Sequence, residues 1–163
     1  MPSFQSAIED FLAQKHIAIA GVSRTPGAAA NAIYQKFRDN GYAVFAINPE
    51  AQQIGDITCY PNLRAVPVQL DGVFCLTPPA ATEALVRECA ELGIPRVWIH
   101  GSVDRSSYSE EAVRYGKSRG IRIIPAACPM MYLRPDVVHR CMHWVMSRTG
   151  RFPKQLPDMP VSA

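Results

Sequence analysis

HIAIAGVSRTPGAAANAIYQKFRDNGYAVFAINP, residues 16–49, decides the fold. The apolar run Ile17-Ala18-Ile19-Ala20 stops at Gly21, and Gly21-Val22-Ser23-Arg24-Thr25-Pro26-Gly27 follows as a turn. An Ala-rich segment of helical character comes next. A second apolar run, Ala43 to Ile47, then ends at Asn48-Pro49. Strand, glycine turn, helix and strand make the first unit of a doubly wound sheet. In such a unit a phosphate rests on the free backbone N–H groups where the turn becomes helix.

The same alternation continues outward from this unit. Strands are predicted over 17–20, 43–47, 72–76, 96–99 and 121–124, the last ended by Pro125-Ala126-Ala127-Cys128-Pro129. Helices are predicted over 4–14, capped by Ser3, and over 28–39, 80–92, 107–118 and 135–147. A looser segment containing Ile54-Gly55 and Cys59-Tyr60-Pro61 precedes a short helical turn around 62–66. The strands are nearly continuous apolar runs, as a parallel sheet buried on both faces requires. The expected class is therefore α/β: a Rossmann-like, doubly wound parallel sheet of about five strands with an order such as 3-2-1-4-5. One domain is expected over residues 1–150, followed by a Pro-rich, extended tail over 151–163.

Composition narrows the function classes. The chain of 163 residues has the length of one domain and is long enough to bury a core without disulfides or a metal. A net charge of +3 with scattered Lys and Arg gives no nucleic-acid footprint. No apolar run approaches the ~20 residues that span a bilayer. The five cysteines, Cys59, Cys75, Cys89, Cys128 and Cys141, are odd in number and widely spaced, without a C-x-x-C. They suggest neither a disulfide framework nor a zinc cluster, and with no signal peptide they lead us to expect a cytoplasmic protein. Nothing in the sequence sets an oligomeric state.

The glycine turn departs from the dinucleotide fingerprint. G-x-G-x-x-G is reduced to Gly21 and Gly27, with Ser23 at the middle position. Asn48-Pro49 stands where an acidic residue would hold an NAD ribose, with Glu50 just beyond. His139 and His143 have the i, i+4 spacing of metal ligands, but no Glu follows His139 and no third ligand is evident, so an ordinary helix face is the expectation. Trp98 and Trp144 are read as packing residues. Asp104 and the hydroxyls of Ser102 to Ser107 are read as caps of the following helix.

Ligands of an open parallel sheet bind beyond the carboxyl ends of its strands. Here those ends are Gly21-Val22-Ser23-Arg24, Asn48-Pro49, Leu76-Thr77-Pro78-Pro79, His100-Gly101-Ser102 and Cys128-Pro129. On these residues, with Ile54-Gly55, Tyr60-Pro61, Ala80-Ala81 and Ile99, the chain from about His16 to Cys128 resembles the small stand-alone coenzyme A-binding proteins. It is similar also to the coenzyme A-binding domain of succinyl-CoA synthetase α subunits. The resemblance implies that Gly21, Ser23 and Arg24 meet the phosphates and that Asn48 and Pro49 border the nucleotide. It further implies that Leu76, Thr77 and Pro78 form the adenine-side wall, and that His100 and Gly101 lie near the pantetheine path.

Two positions depart from the synthetase. His100 replaces a glutamate, and Glu50 to Gln53 contains no basic residue where its coenzyme site bears lysine. The synthetase's phosphohistidine domain has no counterpart in these residues, so binding of coenzyme A or an acyl-CoA without catalysis is the expectation. Cys128 matches a cysteine of the stand-alone proteins. Its thiol either meets the coenzyme thiol or packs as a small apolar residue near Pro125 and Pro129. Two other classes stay open: an NAD(P)-dependent oxidoreductase on a degenerate fingerprint, and a ligand-free interaction module.

Overall fold

The computed structural model describes residues 3–101 and 107–134, with 140, 141, 144, 145 and 148 beyond them. Helix α1 (Phe4–Leu12) leads into β1 (His16–Ala20), α2 (Ala29–Asp39) and β2 (Ala43–Ile47). A hairpin of β3 (Gln53–Ile54) and β4 (Ile57–Tyr60) follows, then β5 (Gly72–Cys75), α3 (Pro79–Leu92), β6 (Arg96–His100), α4 (Glu110–Ser118) and β7 (Arg122–Ala127). The sheet order is β3-β4-β2-β1-β5-β6-β7, parallel except for the β3–β4 pair. The class is α/β, as the alternation of apolar runs and helices predicts.

Period-2 geometry sorts β1 onto two cores. Ile17 and Ile19 face Phe11, Phe37, Phe74 and Trp98 under α1 and α2, while Ala18 and Ala20 face Val73, Cys75, Val86 and Val113 under α3 and α4. Trp98 is fully buried and donates its indole N–H to the Ala127 carbonyl at 2.9 Å, the packing role expected for it. Trp144, by contrast, is 56% exposed, so the packing expectation does not hold there.

Three further expectations change. The looser segment is a hairpin turned by Gly55-Asp56, with Gly55 at φ +60°, and β4 adds to the sheet beside β2. Among the described residues the sheet therefore has seven strands, and β4, rather than the strand at 72–75, occupies the place outside β2. The last strand continues past Ile124: Trp98 pairs with Ile124 and His100 with Ala127, so Pro125-Ala126 opposes Ile99 as a bulge. Proline is tolerated there because β7 is an edge strand and a bulge leaves no ladder N–H to supply. The cap of α4 is Ser109, which accepts from Ala112 N–H at 3.1 Å. Asp104, His139, His143, most of the helix expected at 135–147 and the tail at 151–163 lie outside the described residues.

Candidate functional site

Strand order reverses between β1, which continues through β2 toward β4, and β5, which continues through β6 toward β7. At this switch point the loops leaving β1 and β5 run side by side at the carboxyl ends of the strands, the edge where an open α/β sheet takes its ligand. Gly21 makes the approach possible. Its φ is +107°, and a Cβ there would stand 2.0 Å from the Leu76 carbonyl oxygen. Only glycine lets the two loops lie this close.

Helices α2 and α3 begin at this edge, and both begin without a side-chain cap. Ala28 and Pro78 occupy the cap positions, and neither first turn carries an acidic residue. Helices α1 and α4 are capped by the hydroxyls of Ser3 and Ser109. An uncapped amino end leaves N–H groups and the positive end of the helix dipole available to an anion.

Each predicted site residue has a definite place in this arrangement. Ser23 lies in the β1–α2 loop, but its N–H donates to Asn31 Oδ1 at 2.9 Å and its carbonyl accepts from Asn31 Nδ2 at 2.7 Å. Its hydroxyl accepts from Thr25 N–H at 3.1 Å. Asn48 is also engaged internally. Its Nδ2 donates to the Val22 carbonyl at 2.8 Å, and its Oδ1 accepts from Glu50 N–H at 2.8 Å. Ser23 and Asn48 thus tie the loops of this edge together. Arg24 is exposed and crosses to the neighbouring loop, donating from Nη2 to the Glu50 carbonyl at 3.3 Å.

Beside that contact lies a cleft of about 300 Å³, lined by Asn48, Pro49, Glu50, Ala51, Gln52, Cys59 and Pro61. Burial pushes the Cys59 thiol up, while the Arg24 guanidinium pulls in the opposite direction. On the other side of the switch point, Leu76 is half-buried and Pro78 exposed. Thr77 Oγ1 lies 2.9 Å from Oγ1 of Thr82, which is fully buried and reaches back to the Thr77 and Pro78 carbonyls.

Farther along the same edge, His100 is buried and stands edge-on to Phe74, with ring centroids 6.0 Å apart. Gly101 is buried and donates its N–H to the Ala127 carbonyl at 3.4 Å. Cys128 is half-buried. Burial raises its thiol above the ordinary value, opposed by backbone hydrogen bonds from Met130 and Met131. Gly21, Ser23, Arg24, Asn48, Pro49, Leu76, Thr77 and Pro78 therefore gather around β1, β2 and β5, while His100, Gly101 and Cys128 sit at the β6 and β7 ends.

Two residues of the site escaped the sequence reading, Asn31 and Thr82. Each is a polar residue in the first turn of its helix that clamps the preceding loop. For Thr82 a signal was present: it shares the buried face of α3 with Val86 and Cys89. No group of His, Cys, Asp and Glu able to hold a metal occurs among the described residues.

A topological switch point beside two helices that begin without side-chain caps is the architecture of α/β domains that bind nucleotides. The chain belongs to the CoA binding domain family, whose profile matches residues 15–134. It is 27% identical over 124 residues to acetate–CoA ligase (ADP-forming) II of Archaeoglobus fulgidus, a match covering 71% of this chain and 18% of the ligase. The chain thus spans less than a fifth of the length of the curated relatives it matches. Among solved structures it is similar to a hypothetical protein from Pyrococcus horikoshii, with a TM-score of 0.70, 25% identity and coverage of 78% of this chain and 87% of that one. The dinucleotide-forming acetyl-coenzyme A synthetase 1 of Candidatus Korarchaeum cryptofilum shares the fold, with a TM-score of 0.62 and 24% identity over 73% of this chain and 27% of that one. No described helix is long and apolar enough to cross a membrane.

Proposed function

We propose that this chain binds coenzyme A or an acyl-CoA along the carboxyl ends of its strands, and that it carries out no chemical step of its own. The observation that carries this reading is the pair of uncapped helix starts that follow β1 and β5, beside the Gly21–Leu76 approach. The pyrophosphate lies there, on the amino ends of α2 and α3. The nucleotide occupies the cleft bordered by Asn48 and Pro49, with Leu76, Thr77 and Pro78 as its opposite wall. The pantetheine arm follows the strand ends past Gly101 and His100 toward Cys128. From β4 to β7 this edge runs five inter-strand spacings of about 4.8 Å, roughly 24 Å in all. A nucleotide with a long arm uses such a length, whereas a mononucleotide does not.

An NAD(P) reading fits the site less well. At the end of β2 stands Asn48 in place of the acidic residue that holds an NAD ribose, and its amide is already bonded at both ends; Glu50 lies two residues farther on, exposed at the cleft rim. The test is native mass spectrometry of the protein incubated with equimolar coenzyme A and NAD. A complex of one chain with one coenzyme A, and none with NAD, is the expected result. A complex with NAD and none with coenzyme A overturns the reading.

A further inference from the structure

The position of Arg24 separates two duties that the sequence assigns to one turn. Arg24 leaves the phosphate turn, yet its guanidinium rests on the Glu50 carbonyl, at the rim of the cleft that follows β2. In a doubly wound fold the end of the second strand faces the ribose of a bound nucleotide. An arginine near that end accommodates a phosphate on the sugar rather than the pyrophosphate. The residues lining the cleft include no Lys or Arg. Glu50, the acidic member of the lining, is exposed and adds a charge unfavourable to a phosphate. Asn48 cannot serve, because both ends of its amide hold the two loops together. The contact with Glu50 uses one of the five N–H donors of a guanidinium and leaves its fork geometry suited to a phosphate.

We infer that Arg24 reads the phosphate on the ribose of the bound coenzyme, and so makes this site selective for coenzyme A over its dephospho form. The inference rests on the coenzyme A reading above. In it, the amino ends of α2 and α3 hold the pyrophosphate common to both ligands, and Arg24 holds the group that distinguishes them. Arg24 is thus a specificity residue whose contribution vanishes when the ribose phosphate is absent.

Titration calorimetry with coenzyme A and dephospho-coenzyme A on the wild type, Arg24→Ala and Arg24→Lys tests this. The wild type is expected to bind coenzyme A about 10- to 100-fold more tightly than dephospho-coenzyme A, the range of one charge-assisted contact. Arg24→Ala should bind the two equally, with its dephospho-coenzyme A affinity unchanged from wild type. Arg24→Lys should retain part of the preference, since it keeps the charge and loses the fork. Equal wild-type affinities overturn the inference and leave coenzyme A binding intact. An Arg24→Ala variant that loses affinity for both ligands alike also overturns it, assigning Arg24 to the shared pyrophosphate. Failure of the wild type to bind either ligand overturns both readings. Because Arg24 is exposed, the ligand-free variants should melt with the wild type, which separates loss of contact from loss of fold.

Discussion

A side chain at position 21 meets two obstacles at once. Its Cβ would lie 2.0 Å from the Leu76 carbonyl oxygen, and its φ of +107° is one that L-residues rarely adopt. Backbone strain and forced separation of packed segments each cost on the order of 1–3 kcal/mol. Gly21→Ala is therefore expected to lower the urea midpoint by the equivalent of a few kcal/mol with an unchanged m-value, and to weaken coenzyme A binding beyond that loss by parting the two loops. An unchanged midpoint would show that the loops separate without cost. This glycine was legible in the sequence, because a strand-to-helix turn requires it. The engagement of Ser23 and Asn48 was not. Their residue types suit a ligand as well as they suit a loop, and only the 2.7 to 2.9 Å bonds to Asn31, Val22 and Glu50 show that both also tie loops together.

Helix α1 shows how an element legible in sequence can be held by contacts that are not. Ser3 and the face of Ala7, Ile8 and Phe11 announce the helix. Its attachment to the sheet depends on Asp10, which accepts from Arg96 Nε at 2.6 Å and Nη2 at 3.2 Å, and also pairs with Arg122. Asp10 and Arg96 are 86 residues apart, so no local pattern records the pair. The Arg96 hydrogen bond holds the Asp10 carboxyl below the usual carboxylate range; burial opposes this and Arg122 reinforces it. Asp71 is lowered as well: burial acts against it, but the backbone N–H groups of His16 and Lys15 together with the charges of His16 and Arg96 outweigh it. A depressed native pKa means stability that is present above the unfolded-state value of about 3.9 and lost as pH falls through the native value. Asp10→Asn should accordingly cost about 1.5–3 kcal/mol at pH 7, the scale of a hydrogen bond to a charged group. The gap from wild type should close as the solution is acidified below about pH 4. Chemical unfolding of both proteins across that range measures it. A gap that persists unchanged in acid would assign the cost to packing instead.

For the whole molecule, saturating ligand should raise thermal stability by mass action. At about 100 times its Kd, coenzyme A adds ~2.7 kcal/mol, and NAD at equal concentration should add nothing. A thermal-shift series over ligand concentration reads this directly, and a melting temperature insensitive to coenzyme A would contradict binding to the folded state. The buried parallel strands at the centre of the sheet were legible as apolar runs, but its margins were not. β3 is two residues long, and β4 alternates buried and exposed positions, so neither forms an apolar run; the Gly55-Asp56 pair between Ile54 and Ile57 was the available hairpin signal. At the other margin, Pro125 signals a stop in sequence, whereas an edge strand carries it through as a bulge. Those two margins matter to chains in a crowded solution. A strand from another molecule can anneal only to an unbroken row of N–H and C=O groups, and this sheet ends in a two-residue stub on one side and a proline-interrupted strand on the other. Blunted at both ends, it gives a neighbouring chain little template for fibre growth.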